Sequence, residues 1–127
     1  MSTSAQHLWL EVSPVGGATV VRFTLRELVK EGTVEAIGDK LFELVHERGQ
    51  RNLVLDFGQV DSVVSTMVGK LTGLRKKLEE AGGRLALCGV KPHLLETFAT
   101  LNLTGVLPIH GDEQEAVQSV MAPGEGR

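Results

Sequence analysis

The sequence predicts a single α/β domain with a mostly parallel central sheet of four to five strands, an antiparallel N-terminal strand and about four helices. Three observations predict it. Short aliphatic or β-branched runs alternate with stretches of helical period along most of the 127 residues. Two of those runs, residues 53–57 and 85–88, are apolar at nearly every position, as in strands buried on both faces. Strands alternating with helices imply right-handed crossovers, and therefore parallel neighbours.

The elements follow in order. Residues 8–12 form a short apolar run, Pro14 and Gly16-Gly17 mark a turn, and residues 18–24 are β-branched; together they read as a hairpin. Residues 25–32 read as irregular and charged. From Thr33, a candidate N-cap, Val34, Ile37, Leu41, Leu44 and Val45 share one helical face, and Gly49 is the expected stop. After the strand at 53–57, residues 58–64 read as a loop with more apolar character than most. Helical period returns at Met67, Leu71, Leu74 and Leu78 and ends at Gly82-Gly83. Residues 85–88 are the next strand. Pro92 suits the first turn of a third helix carrying Leu94, Leu95 and Phe98. Residues 106–109 read as a short last strand, with Pro108 marking an edge or an end. Asp112 and Glu115 then open a last helix as a capping box, with Ala116, Val117 and Val120 as its apolar residues. The domain is expected over residues 8–121, with flexible ends at 1–7 and 122–127.

Composition narrows the function. Net charge is −3, without the clustered basic surface that nucleic-acid phosphates require. The single Cys88 rules out an intramolecular disulfide, and it reads as a small buried hydrophobe in a reduced compartment. No run approaches the roughly 18 consecutive apolar residues of a membrane span. The start lacks the basic and apolar regions of a signal peptide, so the expected location is the cytoplasm, away from membrane and nucleic acid.

Enzyme motifs fail one by one. No glycine-rich dinucleotide loop follows a strand, and Gly69-Lys70 lacks the earlier glycine of a phosphate-binding loop, whose place Val64 holds. His7, His46, His93 and His110 are far apart in sequence and form no ligand pair. Asp56 and Asp61 flank the loop after the central strand, at the sheet edge where ligands gather, but turn formation explains them and no third ligand is visible. No metal or cofactor is expected.

The helix near Ser65 says more. Ser65 or Thr66 can supply an N-cap hydroxyl, and that is one complete reading of the pair. Two hydroxyls at a helix N-terminus, reached from an apolar loop, also suit a phosphoryl group, because the positive end of the helix dipole accepts its charge. Gly69 and Gly73, spaced i, i+4, are expected to let this helix approach the sheet closely. Lys70, Arg75, Lys76 and Lys77 give it a basic face.

At this point the residues resemble a known family. NLVLDFGQVDSVVSTMVGKL (52–71), AGGRLALC (81–88) and LNLTGVLPIH (101–110) followed by DEQEA (112–116) are similar, in register, to STAS domains, the sulphate transporter and anti-sigma factor antagonist group. The resemblance spans roughly residues 8–121. In that family the strand leads into V-D-x-[IVL]-D-S-S-G-L-G, whose second Ser receives phosphate from a partner kinase. Val60-Asp61 matches the opening, Ser65 the first Ser, Thr66 the acceptor and Val68-Gly69 the end. Val64 replaces the family's Asp and Met67 its Gly. The usual G-x-L-D after the second strand is absent, replaced around Leu25-Arg26-Glu27-Leu28.

The resemblance implies a non-enzymatic, cytoplasmic partner-switching module. Its partner would be an anti-sigma factor that is also a Ser/Thr kinase, with a phosphatase to reverse the modification. Thr66 or Ser65 would carry the phosphate, and Asp61, Ser62, Val63, Val64, Met67 and Lys70 would belong to the docking surface. A constitutive, unphosphorylated scaffold is the second reading, motivated by Val64 and Met67. A small-ligand sensor or enzyme near Asp56 and Asp61 is the third.

Overall fold

The computed structural model of the chain describes residues 9–46, 49, 51–101 and 107–121. Strands β1 (Leu10–Val15) and β2 (Ala18–Phe23) form the expected antiparallel hairpin, closing with Val15 opposite Ala18. The two-residue turn between them needs a glycine, and Gly16 sits there at φ +62°. Pro14 lies inside β1 opposite Thr19 rather than in the turn. An edge strand tolerates it, because a proline lacks only a donor that an edge does not need on its open side.

Three parallel strands extend the sheet from β2: β4 (Asn52–Asp56), β6 (Arg84–Cys88) and β7 (Ile109–His110), in the order β1-β2-β4-β6-β7. The apolar runs of β4 and β6 occupy interior positions, as their composition requires. Alternation sorts their side chains into two different cores. Val21, Phe23, Leu53, Leu55, Leu85 and Leu87 pack with helices α1 (Glu31–His46), α2 (Ser65–Glu80) and α3 (Pro92–Thr100). Ala18, Val20, Val54, Ala86 and Cys88 face helix α4 (Glu113–Met121), which contributes Ala116 and Val120. Cys88 is buried here as expected, and desolvation pushes its thiol up to about 12.

Several boundaries differ from the sequence reading. Helix α1 begins at Glu31, so Thr33 lies inside its first turn, and Val34 N–H already donates to Lys30 at 2.9 Å. The stretch expected to be irregular contains strand β3 (Glu27–Leu28), and the loop expected at 58–64 contains β5 (Ser62–Val63). These two pair in parallel as a separate small sheet. Helix α2 stops where predicted: Gly82 N–H bonds to Glu79 and Gly83 N–H to Leu78 in a Schellman arrangement, with Gly82 at φ +84°. In α3, Leu94 and Phe98 are buried but Leu95 is exposed. The last strand is Ile109–His110, and Val106, expected in it, lies outside the described residues. The cap of α4 is shifted by one residue from a strict box. Asp112 accepts from Glu115 N–H at 2.9 Å, while the Glu115 carboxylate accepts from Gly111 N–H at 3.3 Å. The flexible ends expected at 1–7 and 122–127 lie outside the described residues.

Gly69 and Gly73 do not draw α2 toward the sheet. A Cβ on Gly69 would meet open space, and one on Gly73 would make ordinary contact with Phe42 of α1 at 3.7 Å. The close approach is made on α1 instead: a Cβ on Gly38 would fall 2.6 Å from Lys70 Cδ.

The small-residue face under α4 has a direct consequence for stability. Ala86→Leu adds volume to a fully buried position between β6 and α4, and is expected to cost about 1–3 kcal/mol through overpacking. Urea unfolding followed by circular dichroism measures it; an unchanged midpoint contradicts the packing described.

Candidate functional site

The elements converge at the carboxyl ends of β2, β4 and β6. After β4 the chain turns through Gly58 and Gln59, buries Val60, and is then caught by the segment that follows β2. The Arg26 carbonyl accepts from Asp61 N–H at 2.6 Å and Ser62 N–H at 3.2 Å, and the Leu28 carbonyl accepts from Val64 N–H at 3.0 Å. This pairing keeps Val64 extended, at φ −84° and ψ 154°, up to the first residue of α2.

Val64 is therefore the N-cap of α2, and no side-chain hydrogen bond caps the helix. The expected capping role of Ser65 or Thr66 is corrected: a cap residue must be non-helical, and both hydroxyls already sit in the first helical turn. Both residues are exposed, and neither hydroxyl has a protein hydrogen-bond partner among the described residues.

The other predicted site residues fall around them unequally. Ser62, Val63 and Val64 are half-buried beside the hydroxyl pair. Met67 is completely buried in the main core, so it supports the surface from beneath and presents nothing to a partner. Lys70 turns toward α1, where its Nζ donates to Glu35 at 3.3 Å. The basic face is broken in the same way at Arg75, which pairs with Glu79 at 2.8 Å, while Lys76 and Lys77 are exposed.

Asp61 is the most heavily engaged polar group of the site. Its carboxylate accepts from Arg26 Nε at 3.0 Å and from Lys91 Nζ, while its carbonyl accepts from His93 Nε2 at 2.6 Å. Bonding to Lys91, then to Arg26, holds the carboxyl below its ordinary value of 3.8. Arg26, Lys91 and His93 were not singled out by sequence reading as site residues. Their roles come from three strand ends meeting in space, for which their local sequence carries no signal.

Asp56 belongs to a different network. It accepts from Arg22 Nε at 3.3 Å and from Gly58 N–H at 2.8 Å, and Arg22 reaches on to Glu113 at 3.3 Å and Glu11 at 3.8 Å. Gly89, at φ +69°, lies against this turn, where a Cβ would come within 3.2 Å of Gly58 and of the Asp56 carboxylate. The two carboxylates are thus committed to separate cations. Among the described residues no group of three or more His, Cys, Asp or Glu is placed to hold a metal ion. An open groove of about 480 Å³ beside Asp61 is lined by residues that include Trp9, Leu25, Arg26, Lys30 and Thr33.

The clamp on Asp61 sets a sign for its titration. A carboxyl lowered in the folded state contributes stability above its unfolded value, and that contribution is lost as pH falls through the folded value. Carboxyl-carbon NMR is expected to give Asp61 a midpoint below 3.8, moving up toward it in Lys91→Gln. A wild-type midpoint at or above 3.8 contradicts the clamp.

The comparisons with known proteins agree with this architecture. Residues 12–116 match the profile of the STAS domain. BtrV of Bordetella bronchiseptica, which carries the name of an anti-sigma factor antagonist, is 28% identical over 92 residues, covering 72% of this chain and 78% of its own. The structure of an anti-sigma-factor antagonist (STAS) domain protein from Planctomyces limnophilus superposes with a TM-score of 0.75 at 24% identity, over 87% of this chain and 96% of that one. The Bacillus cell fate determinant SpoIIAA, in its phosphorylated form, superposes with a TM-score of 0.67 at 23% identity, over 87% and 98% of the two chains. Among the described residues no helix is long and apolar enough to cross a membrane. With the sheet order, the helix faces and the profile match in agreement, the chain belongs to the STAS domain family.

Proposed function

We propose that this STAS domain is a cytoplasmic, non-enzymatic partner-switching module of the anti-sigma factor antagonist type. Unphosphorylated, it binds an anti-sigma factor that is also a Ser/Thr kinase and so frees the sigma factor. The observation that carries the reading is the pair of exposed, unpartnered hydroxyls of Ser65 and Thr66 in the first turn of an uncapped helix. BtrV, similar in sequence, and phosphorylated SpoIIAA, similar in fold, support it.

Thr66 is the acceptor. Its Oγ1 forms a bond to the γ-phosphorus of ATP held by the kinase as the bond from that phosphorus to the β,γ-bridging oxygen breaks; ADP departs and the hydroxyl proton passes to a base of the kinase. The product carries about −1.5 to −2 charge at the positive end of the α2 dipole, so the fold accepts it. A partner seated on Ser62, Val63 and Val64 would meet that charge at its rim, with Asp61 and Lys70 beside it. A phosphatase resets the switch.

A second reading, a constitutive scaffold that is never phosphorylated, is favoured by one feature. The residue before the hydroxyl pair is apolar Val64, so no carboxylate immediately precedes the pair in the sequence.

Incubation with ATP and the anti-sigma-factor kinases of the same organism, followed by intact mass spectrometry, separates the two. The switch predicts a gain of one phosphoryl group that Thr66→Ala abolishes and Ser65→Ala keeps. It also predicts that Thr66→Glu weakens partner binding by about tenfold or more, a loss of roughly 1.4 kcal/mol. Partner binding equal in wild type, Thr66→Ala and Thr66→Glu, with no mass gain, selects the scaffold.

A further inference from the structure

A second feature of the same sheet edge is independent of the hydroxyl pair. An open cleft of about 250 Å³ is lined by Arg26, Gly58, Gln59 and Lys91. It has room for several water-sized groups of about 30 Å³ each. Its walls come from the segments after β2, β4 and β6, so it lies outside the carboxyl ends of three adjacent strands, the side where ligands of parallel α/β sheets bind.

We infer that this cleft is a binding site for a phosphoryl dianion, supplied either as the free phosphate ion or as a phosphomonoester. Charge is the first argument. Arg26 and Lys91 share the single carboxylate of Asp61, which leaves one surplus positive charge among these three groups, while Asp56, bonded to Gly58 N–H, is paired with Arg22. Donor accounting is the second. A guanidinium carries five N–H donors and an ammonium three, but Asp61 takes only Nε of Arg26 and one proton of Lys91. The remaining guanidinium donors and the Gln59 side-chain amide have no protein partner among the described residues. The fork of Arg26 suits two oxygens of one phosphoryl group. Lys91 is also the N-cap of α3 and makes no side-chain cap bond, so the positive end of that helix adds to the same field.

Occupancy is coupled to the neighbouring surface. A dianion competes with Asp61 for Arg26 and Lys91, and these are the contacts that hold the Asp61 side chain beside the strand leading into α2. Binding therefore loosens the clamp at one end of the segment 61–64.

The test is an amide NMR titration of the full chain with inorganic phosphate, with ionic strength held constant by sodium chloride. Saturable shifts are expected at Gly58, Gln59, Asp61 and Lys91. Arg26→Gln, at an exposed side chain, and Lys91→Gln, at a partly exposed one, are expected to weaken binding about tenfold each, while Lys76→Gln leaves it unchanged. A parallel titration with O-phosphoserine identifies the source: tighter binding than inorganic phosphate assigns the site to phosphomonoesters, and equal or weaker binding to the free ion. Shifts that never saturate, or that survive both cleft substitutions, overturn the proposal. Neither kinase nor partner is needed, so failure here is separable from failure of the partner-switching reading.

Discussion

Ser62 and Val63 pair in parallel with Glu27 and Leu28, and this short ladder carries the chain out of the main sheet and delivers it, still extended, to the start of α2. The geometry of the site depends on that pairing. It makes Val64 the N-cap, turns Met67 and Val68 inward against the core, and leaves Ser65 and Thr66 facing solvent. A two-residue ladder is weak by itself. Here it is reinforced at one end by the ion pairs of Asp61 with Arg26 and Lys91, and at the other by Leu28, which is fully buried. Ion pairs this exposed are screened by solvent and add little to overall stability, so their value lies in fixing the segment's position.

The main sheet supplies a rigid base for this arrangement through an asymmetry between its faces. Leucines and phenylalanines fill the side under α1, α2 and α3, where Phe57 meets Phe23 and Phe98 edge to face at 5.0 and 6.4 Å. The opposite side is Ala, Val and Cys, a thin layer that accepts α4 close to the strands. Arg22 ties the two sides together at the carboxyl edge, reaching Asp56 on β4 and Glu113 on α4. The turn after β4 is thereby anchored from both layers before it reaches Asp61.

The parts of the fold that were legible in the sequence are those whose signal is long. Helices α1 and α2 show six and five buried residues in helical register, and β4 and β6 are apolar through their centres. Two-residue strands carry no period, so β3 and β5 were invisible, and with them the extended state of Val64. That single omission explains the misplaced cap: a Ser-Thr pair before a helical run reads as a cap unless something else holds the preceding residue extended. Gly69 and Gly73 misled for a related reason. Their spacing places them on one helix face but does not say which face, and that face points away from the sheet. The Ser65-Thr66 pair was marked by its place at a helix start, and the resemblance then put Thr66 at the acceptor position, whereas Arg26, Lys91 and His93 gather only in three dimensions.

The two ends of α2 are fastened differently. Its C-terminus is closed by the paired bonds from Gly82 and Gly83, while its N-terminus begins at an apolar residue that offers no side-chain acceptor to the first turn. Local opening of a helix starts where backbone donors lack partners, so exchange of amide hydrogens will run inward from Ser65 and Thr66 and stop short of the glycine end. Fluctuation in this helix is thus directional, and it is concentrated at Ser65 and Thr66, whose amides precede the first bond back to Val64, made by Met67 N–H at 2.9 Å, and so can receive an acceptor brought from outside the chain.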